Sequence, residues 1–156
     1  MAKITQKTFF LIILLLLSLT SCQSQKKETA KDLAGIPIDI SKTESVSIYY
    51  GSICYSFYDE NKETIARVAD LFHGFSLKEV PDGSLDSATT YQIYFSSSDG
   101  QTGAVNVDEM GMFYLPDTKK YYQVKEGTFY LDELENIYQD SMNAGGFDKN
   151  QCLIPQ

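Results

Sequence analysis

The period of apolar and polar positions changes several times along the chain, and each change marks an element. Residues 9–17 are an unbroken apolar run, about half of the roughly 20 residues that a membrane-spanning helix needs. Residues 23–36 are polar, charged and poor in β-branched side chains, the composition of a flexible tether. Strand-like runs follow at 46–50 and 53–58, with Gly51-Ser52 between them as a bend or hairpin turn. In the second run Ile53, Tyr55 and Phe57 alternate with Cys54, Ser56 and Tyr58, and the first set is expected on the core face.

The period then becomes helical. Asp59 or Asn61 can cap a helix in which Ile65, Val68, Ala69 and Phe72 recur on one face, and Gly74 stops it. Residues 75–80 resemble a short strand, and Pro81-Asp82-Gly83-Ser84 is a turn. From 89 to 97, Tyr91, Ile93 and Phe95 alternate with Gln92, Tyr94 and Ser96. Turn signals at 98–100, 108–111 and 116–119 separate strands at 102–107, 112–115 and 121–124, an antiparallel meander. A last helix starts at Phe129 or Leu131 and runs to Met142. Its apolar stripe is Leu134, Ile137, Tyr138 and Met142, and Gly145-Gly146 ends it. Asp132, Glu133 and Glu135 occupy its start, where the helix dipole favours negative charge.

This order predicts an α+β fold, a curved antiparallel β-sheet (largely a meander) with two helices packed on one face. The order of helix, sheet and closing helix resembles the TATA-binding-protein-like arrangement. That is a likeness of fold alone and carries no function.

The apolar run is preceded by Lys3 and Lys7 and followed by Leu19-Thr20-Ser21-Cys22. A basic start, an apolar stretch and small residues are the order of a secretory signal. Thr20 and Ser21 let a peptidase take an extended backbone, Leu19 fills an apolar subsite, and Cys22 supplies a nucleophilic thiol. Residues 1–25 thus resemble bacterial lipoproteins of the class cut by the lipoprotein signal peptidase, with Leu19, Thr20, Ser21 and Cys22 as the lipobox. The resemblance implies cleavage after Ser21 and a lipid anchor on Cys22. It places the protein in the cell envelope, on the outer face of the cytoplasmic membrane, or on an outer membrane in a Gram-negative host. Two acyl chains anchor stably where one is marginal. The expected organisation is a signal peptide at 1–21, a lipidated tether at 22–37 and one α+β domain at 38–156.

Charge narrows the partners. The whole chain has 13 basic and 21 acidic side chains and a formal charge of −8. Loss of Lys3 and Lys7 with the leader leaves 11 basic against 21 acidic, a formal charge near −10. Phosphate neutralisation needs a basic patch, so no nucleic-acid partner is expected. Direct adhesion to anionic lipid is disfavoured for the same reason. The partners implied are the membrane, through the lipid on Cys22, and an envelope protein or polymer.

The chemistry-bearing residues are few. Cys54 and Cys152 are the cysteines left once Cys22 is acylated. They stand equally as a disulfide across the domain or as two free thiols. His73 lies at a helix C-terminus, where the dipole favours a cation; with no second His or clustered Cys, no metal site is expected. The acidic groups around Asp59, Asp82 and Asp132 do not have calcium-loop spacing. No Gly-rich phosphate loop or Gly-x-Ser-x-Gly elbow is present, and no cofactor is expected. The eleven tyrosines allow two readings, half-buried rings in the sheet or an exposed binding face. On the second, Tyr94, Tyr121 and Tyr122 are the candidate surface.

The expected function is that of a non-catalytic, membrane-anchored binding module. An acidic inhibitor or immunity-type protein that blocks a basic hydrolase or toxin is the alternative. An envelope-glycan hydrolase, with Glu60, Glu63 or Asp82 as acid and base, stands behind both.

Overall fold

Among the described residues, seven antiparallel strands form one open sheet, and two α-helices cover one of its faces. The computed structural model describes residues 33–51 and 56–145. The expected signal peptide at 1–21, Cys22, Ile53, Cys54, Tyr55 and Cys152 lie outside the described residues, and so do the readings that depend on them. The strands are β1 (Ser45–Tyr50), β2 (Ser56–Asp59), β3 (Phe75–Glu79), β4 (Thr90–Ser97), β5 (Gly100–Asp108), β6 (Met112–Leu115) and β7 (Lys120–Gly127). The helices are α1 (Lys62–Asp70) and α2 (Leu131–Gly145). Neither is long and apolar enough to cross a membrane.

The strand order is β2-β1-β4-β5-β6-β7-β3. The four-strand meander β4 to β7 and the β1–β2 hairpin are those the sequence predicts. The placement of β3 is not local: the chain leaves β2 at one edge, passes through α1 and enters the sheet at the opposite edge. There Leu77 pairs with Val124 and Glu79 with Tyr122.

Alternation decides what is buried. Val46, Ile48, Ile93, Phe95, Val105, Val107 and Phe113 point to the helix side and are fully buried. Ile65, Val68 and Phe72 of α1 and Leu134, Ile137 and Tyr138 of α2 close over them. Phe129, just before α2, stacks on Phe72 and meets Phe113 edge-on, with ring centroids 5.8 and 5.0 Å apart.

The packed structure begins earlier than the composition suggests. Leu33 and Ile36, within the predicted tether, are buried in the same core. The Ile36 N–H donates to the Leu33 carbonyl at 2.9 Å, and this turn directs both apolar side chains inward. The chain then runs beside β5, where the Asp39 N–H donates to the Thr102 carbonyl at 3.0 Å. Gly103 permits this approach, because a Cβ there would come within 2.8 Å of Ile38.

Of the two predicted caps for α1, the structure selects Asn61. Its side-chain oxygen accepts from the Glu63 N–H at 2.8 Å, while Asp59 accepts from the Asn61 N–H at 2.9 Å. Asn61→Ala is expected to cost about 1 kcal/mol, and Asn61→Ser to restore most of it. Urea unfolding with an unchanged slope checks this. A midpoint equal to wild type for Asn61→Ala would remove the cap from the account.

Candidate functional site

The sheet face away from the helices is the candidate site, because tyrosines collect on it and a groove is open on its β1–β4 side. On the other side the segment between β3 and β4 lies against it, with Gly83 packed on Tyr121 and the Asp86 N–H donating to Asp108 at 3.1 Å. Strand register places them. Tyr94 of β4 lies opposite Ser47 and Ala104. Tyr49 of β1 lies opposite Gln92 and Ser56. Tyr114 of β6 lies opposite Asn106 and Tyr121. One cross-strand row thus reads Tyr49, Gln92, Asn106, Tyr114, Tyr121. It spans four interstrand steps, about 19 Å at roughly 4.8 Å each.

The rings are arranged in pairs. Tyr49 and Tyr94 meet edge to face with centroids 5.9 Å apart, and Tyr114 and Tyr121 are tilted at 4.9 Å. Tyr49 is 41% and Tyr58 59% exposed, so these rings are not ordinary core. The Tyr94 hydroxyl donates to Gln92 Oε1 at 3.0 Å, which fixes ring and amide relative to each other. Burial raises the Tyr94 hydroxyl above its usual pKa, and Tyr49 adds to the shift. The hydroxyl therefore stays protonated and uncharged. At the centre of the row the Asn106 side-chain oxygen is shielded and has no hydrogen-bond partner among the described residues.

A groove of about 540 Å³ runs along this face, lined by Ser47, Tyr49, Gly51, Gln92, Tyr94, Ser96 and Gln101. None of these side chains is charged. Two other surface grooves are built differently. One, between α1 and α2, is lined by Glu63, Arg67, Asp70, His73, Asp132 and Glu133 among others. The Arg67 Nε there donates to Glu133 at 2.9 Å. The other lies at a sheet end beside Lys42, Glu44, Lys62 and Asp99.

Of the candidate surface residues, Tyr94 and Tyr121 are on the open face and Tyr122 is not. Tyr122 is half-buried on the helix side, opposite Phe113, and packs against the core. Successive strand residues point to opposite faces, so Tyr121 and Tyr122 cannot share one surface. Tyr49, Tyr58 and Tyr114 belong to the open face instead. For Tyr49 and Tyr114 the available signal was their phase against the apolar neighbours Ile48 and Phe113.

The carboxylates considered for acid–base chemistry are dispersed. Glu60 follows β2 and accepts from the Tyr58 hydroxyl at 2.6 Å. Glu63 sits in the first turn of α1. Asp82 follows β3, and β2 and β3 are opposite edges of the sheet. A glycosidase pair is about 5–10 Å apart, and the width of the sheet separates Asp82 from the other two. His73 lies past the end of α1, with its Nε2 3.5 Å from Asp70. No group of three or more His, Cys, Asp or Glu side chains among the described residues could hold a metal ion.

A second tyrosine cluster lies under α2. Tyr50, Tyr91 and Tyr138 have centroids 4.5 to 6.2 Å apart. The Tyr50 hydroxyl donates to Glu109, and that bond, with burial, pushes its pKa up to about 12. Tyr91 is raised too, mainly by burial. Tyr91 and Tyr138 belong to the core, and the half-buried Tyr50 packs against them.

No protein-family model, curated protein or solved structure matches this chain.

Proposed function

We propose that this protein is a lipid-anchored envelope lipoprotein and that it works as a non-catalytic binding module through the open face of its sheet. The observation that carries the reading is that face. Five tyrosines lie on it over a sheet backed by a packed core; Tyr49 and Tyr58 are exposed, and Tyr49 and Tyr94 line its uncharged groove beside the amides of Gln92 and Gln101. Tyrosines offer large contact area at low conformational cost and keep a polar tip. A tether between the anchor and the domain lets such a face reach partners near the membrane surface. The leader and lipobox supply the anchor in this reading, with Cys22 as the acylated residue.

Two substitutions test its two halves. Cys22→Ala, expressed in a lipoprotein-processing host, is expected to lose palmitate label and to leave the membrane fraction. Label that persists would refute the anchor. Tyr94→Ala, with the anchor intact, is expected to reduce retention of the chain's envelope partner at least about tenfold, equivalent to roughly 1.4 kcal/mol. Tyr130→Ala, an exposed ring before α2, is expected to leave it unchanged. Equal retention by all three chains would refute the face.

A further inference from the structure

From the composition of the open-face groove we infer the class of its ligand, an uncharged glycan seated across Tyr49 and Tyr94. The inference rests on the binding-module reading above and goes beyond it by naming the chemistry of the occupant.

The first argument is charge. The chain carries 21 acidic and 13 basic side chains, yet the groove lining contains none of either. Asp108, on the strand positions of this face at the end of β5, is 3% exposed, and three backbone N–H groups tie up its carboxylate. Burial holds the Tyr94 hydroxyl in the groove above its usual pKa, so it stays neutral. A basic protein would find its complement in the carboxylates of the helix-side groove, Glu63, Asp70, Asp132 and Glu133. An anionic polymer would find no cation in the open-face groove. An uncharged ligand meets neither attraction nor penalty there.

The second argument is the pattern of polar and apolar groups. Sugars present C–H faces together with hydroxyls that both donate and accept. The groove offers aromatic surface from Tyr49 and Tyr94 for the first. For the second it offers amides at Gln92 and Gln101 and hydroxyls at Ser47 and Ser96, groups that also donate and accept. An apolar peptide side chain would bury these polar groups without partners, which costs free energy.

The third argument is shape. The groove, about 540 Å³, lies within the usual range for small-ligand sites. Past it the row is covered, since the Asn106 side-chain oxygen is shielded and Gly83 packs on Tyr121, so the ligand is seated within the groove itself.

The test uses the full chain, processed and lipidated, in detergent micelles. It is titrated calorimetrically with hexasaccharides of α-glucan, β-glucan, xylan and N-acetylglucosamine, at low and high salt. The expected result is saturable binding of at least one of them, with an affinity that salt does not change. Tyr49→Ala and Tyr94→Ala should each weaken it at least about tenfold. Tyr94→Phe, which keeps the ring, should weaken it less, and Tyr130→Ala should not change it. Should an alanine variant fail to fold, Gln92→Ala supplies the same comparison without removing a ring. No binding to any member, with an envelope protein still retained through Tyr94, would overturn the glycan inference and leave the binding module standing. No binding and no Tyr94-dependent partner would overturn both. Glycan binding that is indifferent to Tyr49, Tyr94 and Gln92 would place the ligand elsewhere and also overturn the inference.

Discussion

Asp108→Ala is expected to destabilise the domain by about 3 kcal/mol, a large share of the roughly 5–15 kcal/mol by which domains are stable. The residue is 3% exposed at the end of β5. One carboxylate oxygen accepts from the Met110 N–H at 3.0 Å and the Met112 N–H at 2.9 Å. The other accepts from the Asp86 N–H at 3.1 Å. A single side chain therefore holds the β5–β6 turn and the loop that leads into β4. That loop is knit further by Thr90, whose hydroxyl donates to the Asp86 carbonyl at 2.6 Å. Hydrogen bonds to a charged group contribute about 1.5–3 kcal/mol each, and a buried donor left without its acceptor adds a desolvation cost. The three contributions will not sum fully, because near-surface N–H groups can recover water once the side chain is gone. Asp108→Asn should fall between wild type and alanine. Its amide oxygen can serve Met110 and Met112, but its NH₂ would face the Asp86 N–H, donor against donor. Denaturant unfolding of the three chains checks the order. A shift below about 1 kcal/mol for alanine would mean that the carboxylate is not what fastens the two turns.

Gly127→Ala is expected to cost about 3 kcal/mol or more, through two separable effects. The residue has φ +83°, a left-handed conformation that costs a non-glycine residue roughly 1–2 kcal/mol. A Cβ there would also overlap the Gly74 carbonyl oxygen and come within 2.7 Å of Phe75 Cα. Both neighbours are backbone, so relief requires the β3–β7 pairing to open at Phe75, which lies opposite Gly127. Phe75 packs against Phe113 and Phe129, so the disturbance reaches the core. Gly111 is the control. Its φ is +76° with no atom within 4 Å of an added Cβ, so Gly111→Ala should pay the conformational cost alone, about 1 kcal/mol. Equal losses at the two positions, measured by thermal or urea unfolding, would show that the close approach of β7 to Gly74 adds nothing.

Much of the fold was legible because its signals are local. Alternation around Tyr91, Ile93 and Phe95 separated the two faces of β4, and β6 occupies the predicted residues 112–115. Helical spacing of Ile65, Val68 and Ala69, and of Leu134, Ile137 and Tyr138, named the faces that the helices bury. Those periods follow from backbone geometry within a few residues, so the α+β class and the four-strand meander could be read without knowing any distant contact. The acidic balance is likewise a property of the sequence itself.

Tertiary structure decided everything that depends on a partner far along the chain. The residues of β3 could be recognised as a strand, but only pairing with β7 puts them at the edge opposite β2. Leu33 and Ile36 sit in a polar segment, and the space their side chains fill exists only after the sheet and helices have assembled. Asp108 reads as a turn residue until folding brings Asp86 to its carboxylate. The candidate face shows the same division. Sequence supplied the tyrosines, and the two-residue period already separates Tyr121 from Tyr122. Which of the two is exposed depended on which side the helices cover. Only the register of β1, β4, β5, β6 and β7 aligned Tyr49, Gln92, Asn106, Tyr114 and Tyr121 in one row, because cross-strand neighbours are set by long-range hydrogen bonding and not by order along the chain.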